Sequence, residues 1–440
     1  MTSIEECLFA HAETTPEKPA LIDHEGTLSY RQLAGAVRTE AQRLKSQGLC
    51  EGDAILIRDT RDRHFVTAYL GAHAASCVSV PIEDGTPKAT EKELRTLCSH
   101  AIIPPGTADV LFTTGTTGQR KGVMVSHRAI MADASNLMEA QGFREDTIFV
   151  VNGPLSHIGS LSKLYPVLLA GATAVILPGM TDMGAFFDAL SSDGRRAATF
   201  LVPASIRMLL QFGSARLAAL APCIDFIETG AAPLSGADME ALCRLLPETR
   251  LYNTYASTET GIIATFNFNE GEPLPGCLGQ PMSRSQLRIT DEGHVACSGE
   301  TLMTGYIGDE KLTREVMHDG WIVTSDLGRI DEKGRLRLEG RAGDTINLGG
   351  YKVAPTEVEE AVMDFEGIAD CICLAIDSPI FGRCLRLLYS VKNGSHTDSR
   401  ALARHLASRL APYKVPRVYE QVDSIRRTFN GKLDRKSYEQ

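Results

Sequence analysis

The segment Thr113–Gly122 has the residue types of an anion-binding loop. It contains four Thr, three Gly and Lys121, and it directly follows a short β-branched run. Glycines let backbone amides turn toward an anion, hydroxyl groups donate further hydrogen bonds, and a lysine adds a point charge. It is not a Walker A loop, because Arg120 precedes Lys121 and Gly122 follows it. The segment predicts a phosphate-binding loop, with a plain surface turn as the alternative.

The elements around this loop alternate between strands and helices. From about residue 52 to 255, short β-branched runs are separated by helix-like stretches, which is typical of parallel sheets covered by helices. The predicted strands are Ala54–Ile57, Val78–Ile82, Val110–Thr113, Ile148–Val151, Ala174–Leu177, Thr199–Val202, Ile224–Glu228 and Arg250–Thr254. The predicted helices are Arg128–Ala140, Leu161–Ala170, Ala185–Ser191, Ser205–Gln211 and Gly236–Leu246. We therefore expect an α/β fold whose large N-terminal domain holds layered, mostly parallel sheets.

The C-terminal third has a different pattern. Short alternating runs with turns at Asp291–Gly293, His318–Gly320 and Asp331–Gly334 predict a β-rich, antiparallel subdomain over about 276–340. Beyond it, Pro355 and Thr356-x-x-Glu359 predict a helix start with a capping box. The further predicted elements are a helix Glu357–Asp364, a strand Cys371–Ala375, an apolar run Leu385–Val391 and a helix Ser399–Leu410. The chain is thus predicted to divide into an N-terminal domain, residues 1–341, and a small α+β domain, residues 342–440.

Composition excludes several classes of protein. The 440 residues include 45 Lys and Arg against 55 Asp and Glu, a net charge of -10. This balance argues against nucleic acid or an anionic membrane as a partner held by charge. No apolar run approaches the roughly 18 residues of a spanning helix, and the acidic, polar start does not resemble a signal peptide. Eleven scattered Cys without a Cys-x-x-Cys pair favour a reducing, cytoplasmic compartment.

Six segments occur in the order known from one enzyme family. They are Thr113–Gly122, Gly230–Ser235, Tyr255–Thr260, Gly320–Gly328, Gly340–Glu359 and Asn430–Arg435. Together they resemble the motifs of the adenylate-forming (ANL) superfamily, which includes acyl- and aryl-CoA synthetases, luciferases and the adenylation domains of peptide synthetases. The resemblance covers nearly the whole chain. It implies that a carboxylate attacks the α-phosphorus of ATP, forming an acyl-adenylate and releasing pyrophosphate.

On the nucleotide side, the resemblance implies ATP and Mg²⁺ as ligands. Glu259 would bind the Mg²⁺ and Thr258 would donate to the α-phosphate. Asp326 would accept hydrogen bonds from the ribose hydroxyls with Arg341 beside it, although a structural salt bridge is the alternative for this pair. The other implied nucleotide-binding residues are Thr113, Thr114, Gly115, Thr116, Thr117, Gly118, Lys121, Gly230, Ala231, Ala232, Pro233, Asn253, Thr254, Tyr255 and Ala256.

The C-terminal domain is implied to be a mobile lid. Lys432 would bridge the carboxylate and the α-phosphate in the first half-reaction. Rotation about a hinge at Gly343 and Asp344 would then bring Gly349 and Gly350 beside the acyl group, so that a pantetheine thiol can attack it. Glycine at position 343, where the family normally has Asp or Lys, can absorb a large change of φ and ψ.

The acyl side is implied by Gly153–Ser160, which resembles the Pro-Leu-x-His-x-x-Gly stretch of acyl- and aryl-CoA synthetases. His157 in that stretch is a candidate catalytic and pocket residue, with a core histidine as the alternative. No acid occupies the stretch, so the substrate is expected to lack a free α-amine. The candidate pocket residues are His157, Ser160, Ile227, Glu228, Gly230, Tyr255 and Ile262.

The predicted function is that of an ATP- and Mg²⁺-dependent acid–thiol ligase acting on a small carboxylic acid, with coenzyme A as acceptor. The alternatives are transfer to a carrier-protein phosphopantetheine, transfer to an amine as in amide synthetases, a luciferase-like use of the adenylate, and an inactive nucleotide-binding homologue. Only about thirty residues separate Val80-Pro81 from the threonine-rich loop. This spacing is shorter than in the family and predicts the loss of a strand–helix unit.

Overall fold

The computed structural model describes residues 2–114, 120–191, 196–271, 273–344, 346–348, 351–378, 382–392, 397–428 and 433–438. The helices are α1 Ile4–Thr14, α2 Tyr30–Ser46, α3 Arg63–Ala74, α4 Lys88–His100, α5 His127–Gln141, α6 Ile158–Leu161, α7 Leu164–Ala170, α8 Met183–Leu190, α9 Pro203–Phe212, α10 Ser214–Ala219, α11 Gly236–Leu245, α12 Glu310–Val316, α13 Pro355–Met363 and α14 Ser399–Ala407. The strands up to residue 267 are β1 Pro19–Asp23, β2 Gly26–Ser29, β3 Ala54–Asp59, β4 Val78–Glu83, β5 Thr107–Thr114, β6 Arg120–Ser126, β7 Ile148–Val151, β8 Thr173–Ile176, β9 Ala197–Leu201, β10 Ile224–Thr229, β11 Arg250–Ser257 and β12 Gly261–Asn267. The later strands are β13 Cys277–Pro281, β14 Ser285–Ile289, β15 His294–Gly299, β16 Gly305–Tyr306, β17 Met317–His318, β18 Trp321–Ile330, β19 Leu336–Arg341, β20 Ile346–Leu348, β21 Tyr351–Val353, β22 Ile368–Ser378, β23 Gly382–Val391 and β24 Val418–Gln421.

One large sheet forms the centre of the molecule. Six of its strands run parallel in the order β11-β10-β9-β7-β8-β1, and β2 adds an antiparallel edge. Beyond β11 the strands become antiparallel, in the order β12-β13-β19-β18-β15-β14. The change of pattern predicted near residue 276 is therefore a change within one continuous sheet.

A second sheet has the order β16-β6-β5-β4-β3. Strands β3, β4 and β5 are parallel, whereas β6 and β16 are antiparallel additions. A single helix, α4, connects β4 to β5, so the short connection predicted from the sequence is one strand–helix–strand unit. The C-terminal segment has a separate sheet in which β22 and β23 are antiparallel and β24 lies parallel to β23.

Buried side chains form several cores. The largest contains residues between Ile4 and Ile322 and includes Tyr69, Phe149 and Phe226. A separate cluster, which includes Val358, Leu387 and Leu402, contains only residues 346–406. All eleven Cys are free. Within the described ranges, every helix is too short or too polar to cross a membrane.

The α/β fold class is confirmed, and each strand predicted between residues 52 and 255 overlaps an observed one. The helix predicted at Leu161–Ala170 is wrong in its extent, because α6 and α7 replace it and Ser162 and Lys163 lie between them. Pro166 has no backbone N–H, and it stands in the first turn of α7, where the helix needs no backbone donor. A new helix can therefore begin at Leu164.

The capping box predicted at Thr356-x-x-Glu359 is also wrong. The helix begins at Pro355, so Ala354 is the N-cap and no side chain caps the helix. The Thr356 hydroxyl instead donates to the Glu339 carbonyl at 3.4 Å. Glu359 accepts a backbone hydrogen bond from Cys373 at 2.8 Å. With proline at the first helical position, the N-cap lies two residues earlier than the Thr356 that the sequence pattern suggested.

The predicted turns of the antiparallel region are confirmed. Gly293, Gly320 and Gly334 all have positive φ, and they stand between paired strands. At the tightest of these turns, Asp319 and Gly320 have φ of 50° and 76°. Two successive residues with positive φ are typical of a two-residue hairpin turn. This turn places β18, which carries Asp326, next to β17.

Candidate active site

Strands β5 and β6 form the antiparallel hairpin that carries the predicted phosphate loop. Thr113 pairs with Lys121 across the hairpin, and the backbone of Thr114 pairs with that of Arg120. Opposite residues of an antiparallel pair place their side chains on the same face. Thr113 and Lys121 therefore face the same side at the end of the ladder. Gly115, Thr116, Thr117 and Gly118 lie outside the described residues, as does the Thr114 side chain.

Tyr306 connects this hairpin to the predicted metal ligand. Strand β16 pairs with β6, with Tyr306 opposite Val123, and the ammonium group of Lys121 lies 5.4 Å from the centre of the Tyr306 ring. The Tyr306 hydroxyl donates to Oε1 of Glu259 at 3.0 Å. Burial, followed by the Glu259 charge, raises the pKa of Tyr306 well above its ordinary value, so the hydroxyl keeps its proton and stays a donor.

Thr258 and Glu259 lie in the turn between β11 and β12, where both are partly buried. The backbone carbonyl of Glu259 accepts from the Met303 amide at 2.9 Å, which holds this turn against the segment leading into β16. The structure thus brings three distant parts of the sequence together: Lys121, Glu259 and Tyr306. Sequence reasoning missed Tyr306, because a tyrosine in a two-residue strand carries no local signal of such a role.

We expect Tyr306→Phe to lower the rate of adenylate formation by about 10- to 100-fold. The change removes a hydrogen bond to a carboxylate, worth about 1.5–3 kcal/mol, and leaves Glu259 free to rotate. The measurement is acid-dependent pyrophosphate exchange as a function of Mg²⁺ concentration. The matched control is Tyr252→Phe, which loses only a hydroxyl that accepts from Arg250 at 3.2 Å. Equal rates in wild type and Tyr306→Phe at every Mg²⁺ concentration would contradict this positioning role.

Asp326 stands at the centre of a second group of predicted residues. Because β18 pairs with β19, Asp326 lies opposite Arg341, and Nε of Arg341 donates to Oδ1 of Asp326 at 2.8 Å. The hydroxyl of Tyr255 donates to Oδ2 at 2.8 Å. Burial, and then the Asp326 charge, raises the pKa of Tyr255 far above its ordinary value. Each carboxylate oxygen has a second lone pair, so the carboxylate can still accept further hydrogen bonds.

Gly230 to Pro233 follow strand β10, beside the end of β11. Phe226 to Thr229 on β10 pair in parallel with Arg250 to Asn253 on β11. A side chain at Gly230 would come within 3.0 Å of the Thr254 carbonyl oxygen, so glycine permits this close approach. Ala231 then turns the chain with a φ of 67°, and the exposed Ala231 and Pro233 lie at the surface.

The side chains of the neighbouring β11 residues are already engaged. Asn253 donates to the Cys277 carbonyl at 3.2 Å, and the Thr254 hydroxyl lies 2.9 Å from that of Thr265. Ala256 is exposed. A ligand at this strand end would therefore meet mainly the backbone of Asn253 and Thr254.

The predicted acyl side is arranged around Phe200, which sequence reasoning missed. An added Cβ at Gly159 would lie 3.4 Å from the Phe200 ring, and one at Gly230 would lie 3.6 Å from it. The His157 segment and the Gly230 strand end therefore meet at this ring. Ser160 is buried, and its hydroxyl would lie 2.3 Å from a Cβ at Gly153, so only glycine fits there.

His157 lies beside a carboxylate. Its Nε2 is 3.3 Å from Oε1 of Glu83, which is on β4. Burial lowers the pKa of His157 below its ordinary value, although Glu83 acts in the opposite direction. The imidazole is thus favoured in its neutral form near pH 7.

Glu228 forms a buried ion pair with Lys163, which sequence reasoning did not single out. The lysine ammonium donates to Oε1 of Glu228 at 2.8 Å, and the side chains are 3% and 0% exposed. Lys163 also lies 5.0 Å from the Phe200 ring. The one visible signal is a lysine within the apolar stretch Ile158–Ala170.

The other predicted pocket residues do not all gather at this place. Adjacent strand residues face opposite sides of a sheet, and Ile227 accordingly packs in a core on the other side from Glu228. Ile262 packs in the main core, and its amide donates to Oδ1 of Asp133 at 2.8 Å. These two isoleucines are therefore placed as core residues.

Asp133 makes thermal stability depend on pH. Burial raises its pKa to about 8, so the folded protein keeps a proton that the unfolded chain releases above about pH 4. The stability contributed by this proton is present at low pH and is lost as the pH rises toward 8. We expect the melting temperature of Asp133→Asn to fall less than that of wild type between pH 5 and 8. The exposed Asp188→Asn is the control, and identical pH profiles for wild type and Asp133→Asn would refute the assignment.

The predicted hinge residues lie in the single turn Ala342–Asp344 that follows β19. A side chain at Gly343 would meet no atom of the described residues within 4 Å. Oδ2 of Asp344 lies 3.7 Å from Nε of Arg435, whose guanidinium also binds both oxygens of Glu359 at 2.7 and 2.8 Å. Gly349, Gly350 and Lys432 lie outside the described residues.

Comparison with known proteins identifies the class of enzyme. Residues 8–103 and 93–307 match the AMP-binding enzyme family, and residues 357–432 match the AMP-binding enzyme C-terminal domain. The 2-succinylbenzoate--CoA ligase of Staphylococcus epidermidis is 30% identical over 341 residues, which cover 75% of this chain and 69% of that protein. The match to a CoA ligase of Mycobacterium tuberculosis spans 66% of its length, just under two thirds. The feruloyl-CoA synthase of an Amycolatopsis species is 26% identical, with 96% and 95% of the two chains covered.

The fold also resembles that of a solved structure. The ATP-bound crystal structure of MatB from Rhodopseudomonas palustris superposes with a TM-score of 0.88 over 99% of both chains, at 22% sequence identity. The chain therefore belongs to the AMP-binding enzyme family, in the acyl- and aryl-CoA synthetase branch of the adenylate-forming superfamily. Its enzyme class is that of the AMP-forming ligases.

Proposed function

We propose that this enzyme joins a small carboxylic acid to AMP and then transfers the acyl group to the thiol of coenzyme A. The observation that carries the proposal is the contact of Tyr306 with both Lys121 and Glu259, at 5.4 Å and 3.0 Å. Tyr306 thereby contacts both a cation of the glycine-rich hairpin, Lys121, and a carboxylate from the end of another strand, Glu259. That combination suits a polyphosphate together with its metal ion.

Each group at this place has a task in the first half-reaction. Lys121 and the hydroxyls of the loop that begins at Thr113 would bind the departing phosphates, whose negative charge grows as pyrophosphate leaves. The partly buried Glu259 offers the carboxylate oxygen that Mg²⁺ requires, with Thr258 donating to the α-phosphate. Mg²⁺, when bound, would neutralise part of the polyphosphate charge. Tyr306 would keep the Glu259 carboxylate in one orientation.

The nucleoside would lie between Asp326 and the segment Gly230 to Pro233. Asp326 is fixed by Tyr255 and Arg341, so its remaining lone pairs can accept from the ribose hydroxyls. Gly230 to Pro233 and the end of β11 would line the adenine, largely through backbone atoms. A carboxylate already held by two donors needs little reorganisation when the ribose arrives.

The acid would be held next to Phe200, His157 and Ser160. Glu228 is matched by Lys163 in a buried ion pair, which leaves it poorly suited to bind a second cation. This supports an acid without a free amine. The neutral His157 imidazole can accept or donate a hydrogen bond at this place.

The two half-reactions would be separated by rotation of residues 342–440 against residues 1–341. Lys432 would bridge the acid and the α-phosphate in the first step. Rotation about Gly343 and Asp344 would replace it by the Gly349-Gly350 segment in the second. Among the described residues none lies close to Gly343, which supports a hinge here, and Asp344 pairs with Arg435 of the domain that would rotate.

A panel of aliphatic, aryl and arylpropenoic acids, each with ATP and Mg²⁺, tests the proposal. We expect acid-dependent exchange of labelled pyrophosphate into ATP, and formation of an acyl-CoA thioester only when CoA is added. The relatives named as CoA ligases support CoA over other acceptors. Parallel reactions replace CoA with a holo carrier protein or an amine, or vary dioxygen, to test the alternative uses of the adenylate. Exchange without thioester would overturn the acceptor, and no exchange with any acid would overturn the activity.

A further inference from the structure

Three side chains that can bind metal meet in the interior, and the proposed reaction uses none of them. Glu5 is the second residue of α1, His73 is the last but one of α3, and His127 is the first of α5. One ligand atom from each lies within 4.8 Å of the others. Among the residues that the structure describes, this is the only group of three or more His, Cys, Asp or Glu so arranged.

One atom of each of these side chains lacks a hydrogen-bond partner among the described residues. Glu5 and His73 are 8% and 3% exposed. Oε2 of Glu5 and Nδ1 of both His73 and His127 are buried and have no hydrogen-bond partner in the described part of the chain. The 3.8 Å between Nδ1 of His73 and Oε2 of Glu5 is too long for a hydrogen bond. Since buried polar atoms are normally paired, three such atoms together indicate a common partner.

A second carboxylate orients His73 toward this point. Nε2 of His73 lies 2.9 Å from Oδ1 of Asp109, and the Tyr69 hydroxyl donates to Oδ2 of Asp109 at 2.8 Å. A carboxylate that accepts from the Nε2–H leaves the Nδ1 lone pair on the side of Glu5 and His127. A carboxylate behind a histidine in this way is the usual outer partner of a metal-binding histidine.

Charge balance favours a divalent ion over a single proton. Glu5 and Asp109 contribute two negative charges, while the two imidazoles are neutral when they act as ligands. One proton on His73 would neutralise only one carboxylate and would leave the His127 nitrogen without a partner. Zinc takes imidazole nitrogen and carboxylate oxygen at about 2.0–2.2 Å, which places ligand atoms about 3.3 Å apart. Small side-chain rotations would therefore bring the ligand atoms of Glu5, His73 and His127 to the distances that zinc requires.

We propose that Glu5, His73 and His127 together bind one divalent transition-metal ion, with Zn²⁺ as the expected occupant. The ion would fasten the N-terminal helix α1 to α3 and α5. Behind it, Asp109 stands on β5, five residues before Thr114 and the threonine-rich loop. The role is structural, since two of the three ligands are almost fully buried.

The test uses the full-length protein without a polyhistidine tag. The protein is stripped with a chelator, equilibrated with Zn²⁺, desalted, and analysed for zinc by mass spectrometry and for melting temperature. Co²⁺ in place of Zn²⁺ provides a visible spectrum of the ligand geometry. We expect about one tightly held Zn²⁺ per chain, a higher melting temperature with Zn²⁺, and Co²⁺ bands of a four- or five-coordinate site.

Two substitutions separate binding at this group from binding elsewhere. His127→Gln and Glu5→Gln remove one ligand each and should weaken Zn²⁺ binding about 100-fold or more, with circular dichroism to confirm that each variant folds. The control is His11→Gln on the same helix, since His11 lies outside this group and its Nε2 is 3.3 Å from the Leu169 carbonyl oxygen. Stripped wild type that takes up no zinc, or variants that bind zinc as tightly as wild type does, would overturn the proposal.

Discussion

In the Lys432→Ala variant, acid-dependent exchange of labelled pyrophosphate into ATP is expected to fall by about 10²–10³-fold. The lysine would stabilise negative charge on both the attacking carboxylate and the α-phosphate as the bond between them forms. Removing it leaves that charge without its cation in the transition state only, so the loss appears in kcat more than in the KM for ATP.

The matched control is Lys436→Ala, an exposed lysine four residues further along the chain. It should leave exchange unchanged, which would exclude a general effect of charge near the C-terminus. A second measurement supplies the acyl-adenylate directly and follows thioester formation with CoA. Lys432→Ala should keep most of the wild-type rate of thioester formation, because the Gly349-Gly350 segment is proposed to act in that step. Full exchange in Lys432→Ala would contradict the proposed role.

The parallel sheet could be predicted well from the sequence because its strands are buried on both faces. Ile148–Val151 is a run of four apolar residues, and the observed β7 has the same bounds. The antiparallel region could be located through its glycines, since residues such as Gly320 mark tight turns directly. In both cases the signal lies within a few neighbouring residues.

Contacts between distant segments could not be predicted in this way. Glu259 and Tyr306 are 47 residues apart, and Lys163 and Glu228 are 65 apart. Nothing near Lys163 in the sequence indicates its partner, because the pairing depends on how the segment between α6 and α7 lies beside β10. The motifs predicted which residue types would gather at the nucleotide side. The sequence prediction placed Ile227 and Glu228 in one pocket, although adjacent residues of a strand face opposite sides of the sheet.

The ion pair of Lys163 and Glu228 leads to the second large expected effect. Both side chains are almost fully buried, at 3% and 0% exposure, with the ammonium 2.8 Å from the carboxylate. Removing one member of such a pair leaves an uncompensated charge in the interior, which typically costs about 3–5 kcal/mol. We expect Lys163→Met to lower the free energy of unfolding by that amount, measured by urea denaturation.

The double variant Lys163→Met with Glu228→Gln distinguishes the charge effect from a loss of packing. Methionine fills much of the volume of lysine, and glutamine keeps the shape of glutamate, so removing both charges should restore most of the lost stability. The exposed pair Arg244 and Glu240, at 72% and 62% exposure, is the matched control, and Arg244→Ala should change stability by no more than about 0.5 kcal/mol. If Lys163→Met alone proved as stable as wild type, the buried charge would have to be solvated in the folded protein. Water would then reach Phe200, and the acid would bind in a wet cleft rather than a dry one.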